Sequence, residues 1–333
     1  MTDLGTLATE PLFGLPLPEL WFALLFAMLG TFLFFDGFDF GAGALFALRE
    51  DETERETVLA AIGPFWDGNE VWLVVFGGAL FAAFPAAYAG LFSRNYLLMF
   101  GILGALILRG LAPEMYEQRH DAAWQRWWGR AFVAGSVLAP FLLGAFVGNW
   151  LAGTERSFTL VGIVVGLGVT ALTVVSGTAF LRVKTTGEFH DALGRYGPPA
   201  VVGYLLAVVT ALGALCATVP GLRAALVSVP VLALVGLSVL LAVGYVLALR
   251  RDYDLLALVA SAALTYGLVA VVALALYPAV NPVTGATVES AIVSTLPLNL
   301  MSVGAALLLP LVASYFVVLY SAFRGPAQPK EGY

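Results

Sequence analysis

Apolar residues fill long stretches of this chain, and polar residues gather in short breaks between them. A helix needs about 20 apolar residues to cross a bilayer. Nine stretches meet that length, near 17–47, 57–83, 86–112, 128–150, 158–181, 198–219, 225–249, 253–278 and 296–323. The first is long for one crossing, which predicts a tilted helix or one that extends beyond the lipid. The connections are short, and no soluble domain interrupts them. Lipid offers the backbone no hydrogen-bond partners, so only a helical bundle fits. The expected fold class is an all-α polytopic membrane protein with one integral membrane domain over 1–333.

Composition agrees. Sixty per cent of the 333 residues are hydrophobic and 11% are charged, whereas a soluble domain is nearer half apolar and a quarter charged. Mean hydropathy is +0.92. The net charge is −6, and no basic patch suggests nucleic-acid binding. The single cysteine, Cys216, excludes an intrachain disulfide and a cysteine-based metal cluster. The acidic start MTDLGTLATE lacks the basic region of a cleavable signal, which predicts a retained first helix.

The cations set an orientation. Arg49, Arg55, Arg119, Arg126, Arg130, Arg182, Lys184, Arg195, Arg250, Arg251, Arg324 and Lys330 fall in one set of loops and the tail. The alternate loops hold only Arg94, Arg156 and Arg223. This bias predicts an N-terminus outside and a C-terminus in the cytoplasm. The expected location is the plasma membrane.

The exceptions inside the apolar runs carry the candidate chemistry. "GPFWDGNEVW" (Gly63 to Trp72) holds Asp67 and Glu70, and "DGFDF" holds Asp36 and Asp39. The first two runs predict an antiparallel hairpin around "REDETERE". Asp36 and Asp67 then lie roughly 20 Å from the turn, near mid-membrane, at about 1.5 Å per residue. Residues three apart share a helix face, so a file of four carboxylates is expected. Intramembrane carboxylates are costly and generally functional. They suit a proton route or a site that tunes a cofactor; the alternative is structural hydrogen bonding to Asn69, Trp66 and Trp72. Gly63-Pro64 predicts a kink beside them. Arg109, near the cytoplasmic end of the third run, either snorkels to the interface or pairs with an acidic group on a neighbouring helix. Asn149 and Trp150 read as an interfacial cap and a belt residue. Similar glycine-rich ends, GAGALFAL and GGALFAAF, suit close helix packing.

Both histidines, His120 and His190, fall in expected cytoplasmic loops, His190 as a loop hydrogen-bonder. Intramembrane haem ligation by this chain is therefore not expected, nor is any metal site. Nucleotide-binding loops are absent. Composition and spacing do not separate a transporter from a subunit of an energy-coupling complex.

Five stretches carry a resemblance: DGFDFGAGAL (36–45), GPFWDGNEVWLVVFGGALFAAFPAAYA (63–89), FVGNW (146–150), RVKTTGEFH (182–190) and LPLNLMSVGAALLLP (296–310). In content, order and spacing they resemble subunit II of the cytochrome bd quinol oxidases, over nearly the whole chain and faintest between about 200 and 280. The resemblance implies nine transmembrane helices, as two four-helix bundles plus a peripheral helix, pseudosymmetric with subunit I. It implies a complex that oxidises quinol and reduces dioxygen to water. The haems b and d belong to subunit I, so no cofactor is ligated by this chain and no catalytic residue lies in it. A bound quinone or lipid, and small accessory subunits, are compatible with the family. Asp67, with Asp36, Asp39 and Glu70, takes the place of a proton route toward the oxygen-reducing haem. Trp66, with Asn69 and Trp72, is placed to touch quinone or the partner, and Arg109 is the charge partner. The short outer connection 279–295 lacks the insertions of some members, so a quinone site built from them is not carried over. Some members carry Gln where Glu70 stands. The expected route enters near Glu52 and passes Asp39 and Asp36 to Asp67. A purely structural subunit and, more distantly, a proton-coupled transporter are the alternatives.

Overall fold

The computed structural model describes residues 4–154 and 156–327; Lys330 of the basic tally lies outside them. The chain folds into α1 (Leu4–Thr9), α2 (Leu17–Phe46), α3 (Glu52–Ile62), α4 (Trp66–Ala83), α5 (Pro85–Arg94), α6 (Tyr96–Glu117), α7 (Ala122–Ala152) and α8 (Leu160–Lys184). Then follow α9 (Gly187–Leu193), α10 (Gly197–Thr218), α11 (Arg223–Leu226), α12 (Val229–Arg250) and α13 (Asp254–Leu276). A small antiparallel pair, β1 (Ala279–Asn281) and β2 (Ala286–Thr287), leads into α14 (Val288–Ala291) and α15 (Thr295–Ala322).

Eight helical segments are long and apolar enough to cross a membrane: α2, α6, α7, α8, α9 with α10, α12, α13 and α15. The expected second run, 57–83, is not one continuous helix. It breaks between Ile62 and Trp66, at Gly63-Pro64, into α3 and α4. α4 carries Asp67, Asn69 and Glu70 in its first turns, which lowers its hydropathy. It packs along α2 but is not among these eight. Asn69, near its start, bonds Asp39, and the carbonyl of Ala83 at its end accepts from Val293 N. The expected third run, 86–112, is also interrupted. It begins as the short α5 and restarts at Tyr96 as α6.

Local sequence explains the helix ends. Asp51 caps α3 through Glu54 N, Asp121 caps α7 through Trp124 N, and Thr159 caps α8 through Gly162 N. α7 stops at Gly153, whose φ of 58° closes the helix in the left-handed region.

Small residues fix the helix spacing. α7 and α8 meet over Gly144 and Gly148 on one side and Gly162 and Gly166 on the other. A Cβ on Gly144 would lie 2.7 Å from the Cα of Gly166. α2 crosses α8 at Gly41 and Gly177, where a Cβ on Gly177 would sit 2.6 Å from the Gly41 Cα. The contact is backbone against backbone, so no side chain can move aside. Gly177→Ala is expected to cost about 1–3 kcal/mol by overpacking, read as a lowered melting temperature of the purified protein.

α15 stands apart. Only 6% of its most apolar window is buried, as suits a peripheral helix. It is held by Tyr320, stacked on Phe65 with ring centroids 4.4 Å apart, and by Phe316 against Trp72. Lys184 Nζ donates to the Phe323 carbonyl and tethers its end.

Candidate functional site

Three elements bring the carboxylates together. α2 supplies Asp36 and Asp39, α4 supplies Asn69 and Glu70, and α6 supplies Arg109. Asp36 and Asp39 are fully buried, and Arg109 is 1% exposed. Arg109 is the hub. Its Nη2 donates to Asp36 Oδ1 at 2.6 Å and lies 3.4 Å from Asp39 Oδ2, while Nη1 donates to Glu70 Oε2 at 3.0 Å. Its guanidinium also lies 5.2 Å from the ring centroids of Phe40 and Trp66.

Of the two readings of Arg109, the structure selects pairing. The residue sits at the depth of the carboxylates, not at the interface. Gly135 of α7 makes this fit. A Cβ there would lie 2.6 Å from the Arg109 backbone nitrogen, so only glycine lets α7 press against α6 at that level.

A second strand of the network runs to the peripheral helix. Asn69 Nδ2 donates to Asp39 Oδ2 at 2.9 Å, and its Oδ1 accepts from the Tyr320 hydroxyl at 2.9 Å. Asn69 is fully buried, with both ends of its amide engaged. Its amide bridges α2 and α15 within the chain. The sequence offered no signal for Tyr320, which lies 251 positions away.

Asp67 is placed differently. It is exposed on α4 and stands outside the Arg109 cluster. Val71, Val74 and Phe81 share its helix face and are also exposed, beside exposed Leu103 and Ile107 of α6. The expected file of four carboxylates is thus a cluster of three around Arg109, with Asp36 and Asp39 fully buried and Glu70 half-buried, and one outward-facing member. Trp66 is half-buried against Arg109 and Gly110, and Trp72 packs on Phe316 with its Nε1 buried.

The charge balance of the cluster is uneven. Asp36, Asp39 and Glu70 face one guanidinium. With three carboxylates and one cation, neutrality requires 3 − 1 = 2 protons on the carboxylates. Buried uncompensated charge is costly, so this cluster has capacity to hold protons. Asp36 Oδ2 and Asp39 Oδ1 are buried without a hydrogen-bond partner among the described residues. Each is an open position for a proton or a water molecule.

A cavity of about 610 Å³ adjoins the cluster, with Glu70 in its wall. Leu33, Leu73, Phe76, Ile102, Leu106 and Val169 form much of the rest, and it opens between α4 and α6 past Val74 and Leu103. Gly77 and Gly78, expected to pack helices, instead line this space.

The two histidines stand away from the Arg109 cluster. His120 is an exposed loop residue. His190, on α9, has both ring nitrogens engaged, Nε2 with Asp254 at 2.9 Å and Nδ1 with Asp191 at 3.1 Å. Among the described residues no cluster of three His, Cys, Asp or Glu residues could hold a metal ion. His190 joins an end-of-bundle lock in which buried Arg182 pairs with Asp252 at 2.7 Å and Asp254 at 2.6 Å. Asn149 and Trp150 are buried within the protein. Asn149 binds the 156–159 loop, and Trp150 donates to the Val280 carbonyl at 2.8 Å.

Comparison with known proteins decides the family. The family described as "Cytochrome bd terminal oxidase subunit II" matches residues 17–323. This chain belongs to that family. Over 335 aligned residues it is 30% identical to "Cytochrome bd ubiquinol oxidase subunit 2" of Bacillus subtilis, covering 95% of this chain and 98% of that one. It is 33% identical over 188 residues to "Cytochrome bd-I ubiquinol oxidase subunit 2" of Escherichia coli, about half of each chain. A chain from the bd oxidase structure of Geobacillus thermodenitrificans superposes with a TM-score of 0.76 at 17% identity, covering 93% and 99% of the two chains. That likeness shows the fold. The family is that of an oxidoreductase complex of respiration, so a cytochrome bd subunit II implies a partner subunit.

Proposed function

We propose that this chain is the haem-free subunit of a quinol:oxygen oxidoreductase, that it scaffolds a haem-bearing subunit I, and that it passes protons to that partner. The observation that carries the reading is the cluster of three carboxylates around buried Arg109, two of them fully buried, with Asp67 next to it on an outward apolar face. A carboxylate facing lipid at mid-membrane is costly. It is supported where a protein partner or water covers it. The α4–α6 face therefore meets the partner, and Asp67 is the exit of the route.

The chemistry needed is modest. Oxygen reduction consumes protons in a site closed to water. Asp39 and Asp36 take protons arriving from the cytoplasmic end, near Glu52. Arg109 holds the carboxylates in reach of one another and balances part of their charge. Asp67 hands protons onward. The N-terminus lies outside and the C-terminus in the cytoplasm, as the arginine bias supports. The cavity beside Glu70 takes an apolar chain, from a lipid or a quinone tail.

A structural role alone is the second reading, favoured by one observation. Arg109 ties α2, α4 and α6 through ion pairs, and such a hub serves assembly whether or not protons move through it. The complex itself is tested by purifying it from native membranes through a tag on this chain and recording a reduced-minus-oxidised spectrum. Bands of b- and d-type haem with a second large membrane chain are expected. A colourless chain purifying alone from intact membranes contradicts the assignment.

A further inference from the structure

We propose that the groove between α2, α3 and α7 is a binding site for the phosphodiester headgroup of an anionic phospholipid. The groove is a cavity of about 390 Å³ lined by Arg55, Arg126, Arg130 and Gln125, with Phe46, Val133 and Ala134 as its apolar wall. It lies at the arginine-rich end of the bundle. α7 has 31 residues, so it is about 46 Å long. The hydrocarbon core is only about 30 Å thick. Its first turns, with Arg126, exposed Trp127 and Arg130, therefore stand among the headgroups, where such aromatic residues collect.

Arg126 and Arg130 are exposed, and Arg55, which hydrogen-bonds Tyr116 through its side chain, keeps its Nε unpartnered. None of the three forms an ion pair among the described residues. Glu52 and Glu56, near Arg55 on α3, do not pair with it. Arg126 and Arg130 are one turn apart and share a face. Arg55 enters from α3 with its guanidinium 5.5 Å from the Phe46 ring centroid, and its Nε is buried without a partner. Planar guanidinium groups match phosphate oxygens in pairs. Below them, Phe46, Val133 and Ala134 suit the first methylenes of acyl chains. Three unbalanced cations favour a headgroup with net negative charge over a zwitterion that brings its own ammonium. None of the lining residues lies on α4, α6 or α15, so the face assigned to the partner leaves the groove open to lipid. The inference does not depend on the proton route.

The test uses the complex purified through a tag on this chain, stripped of lipid in mild detergent. Native mass spectrometry follows titration with dioleoylphosphatidylglycerol, dioleoylphosphatidylcholine or inorganic phosphate. The exposed arginines are replaced as Arg126→Gln with Arg130→Gln. Arg250→Gln with Arg251→Gln removes the same charge from exposed positions at the same end. The expected result is tight retention of phosphatidylglycerol, weaker retention of phosphatidylcholine, and a loss of roughly thirty-fold in affinity in the groove variant only. Equal retention of the two lipids overturns the proposal, as does an equal loss in the control variant. Displacement of the lipid by millimolar inorganic phosphate overturns the lipid assignment in favour of a free-anion site.

Discussion

Arg109→Gln is expected to destabilise the assembled protein by about 3–5 kcal/mol, the range for breaking a buried ion pair from one side. The substitution leaves Asp36 and Asp39 fully buried with no cation. Lysine is not an adequate replacement. Nη1 and Nη2 of Arg109 reach carboxylates on two different helices, whereas one ammonium is a single point charge. A rescue is also expected. Adding Asp36→Asn to Arg109→Gln removes an uncompensated charge, so the double variant should melt closer to wild type than Arg109→Gln alone. A double-mutant cycle of melting temperatures reads this coupling. Additive effects would show that Arg109 does not act through Asp36.

Asp67→Asn is the second large effect, and it concerns rate rather than stability. Asp67 is exposed on α4 and makes no hydrogen bond or ion pair with the described residues, so its replacement leaves the cluster's geometry untouched. If it carries protons to the partner, oxygen consumption should fall by roughly ten-fold or more, within the range of a lost acid–base group. Haem content and melting temperature should stay near those of wild type. Loss of haem instead would make Asp67 an assembly residue at the partner interface. Unchanged turnover would favour the structural reading.

Much of this arrangement is legible in the sequence, because lipid simplifies the problem. Hydropathy alone gives the fold class and most helix limits to within a few residues. The level of Asp36 and Asp39 against Asn69 and Glu70 follows from counting outward from the hairpin turn. Three features were not legible. Arg109 was legible as a pairing candidate, but the reach of one guanidinium to three carboxylates on two helices was not. Asp67 and Glu70 are three positions apart, which is only roughly the same face. The 60° between them is enough to turn Glu70 toward Arg109 and Asp67 toward the outside. Trp150 looks like a belt residue by position, yet its indole finds a buried carbonyl in a strand 130 positions away. The break of the second run was signalled by Gly63-Pro64, but not its consequence. α4 restarts at Trp66, which sets Asn69 between Asp39 and Tyr320.

Under the proposed function, protons for oxygen reduction leave this chain at Asp67. The most direct test mixes the fully reduced complex with oxygen and follows proton uptake with a pH-indicator dye, alongside haem oxidation, in wild type and Asp67→Asn. The first haem oxidation step is expected to keep its rate while proton uptake slows by roughly ten-fold or more. Proton uptake at the wild-type rate in Asp67→Asn would contradict this route.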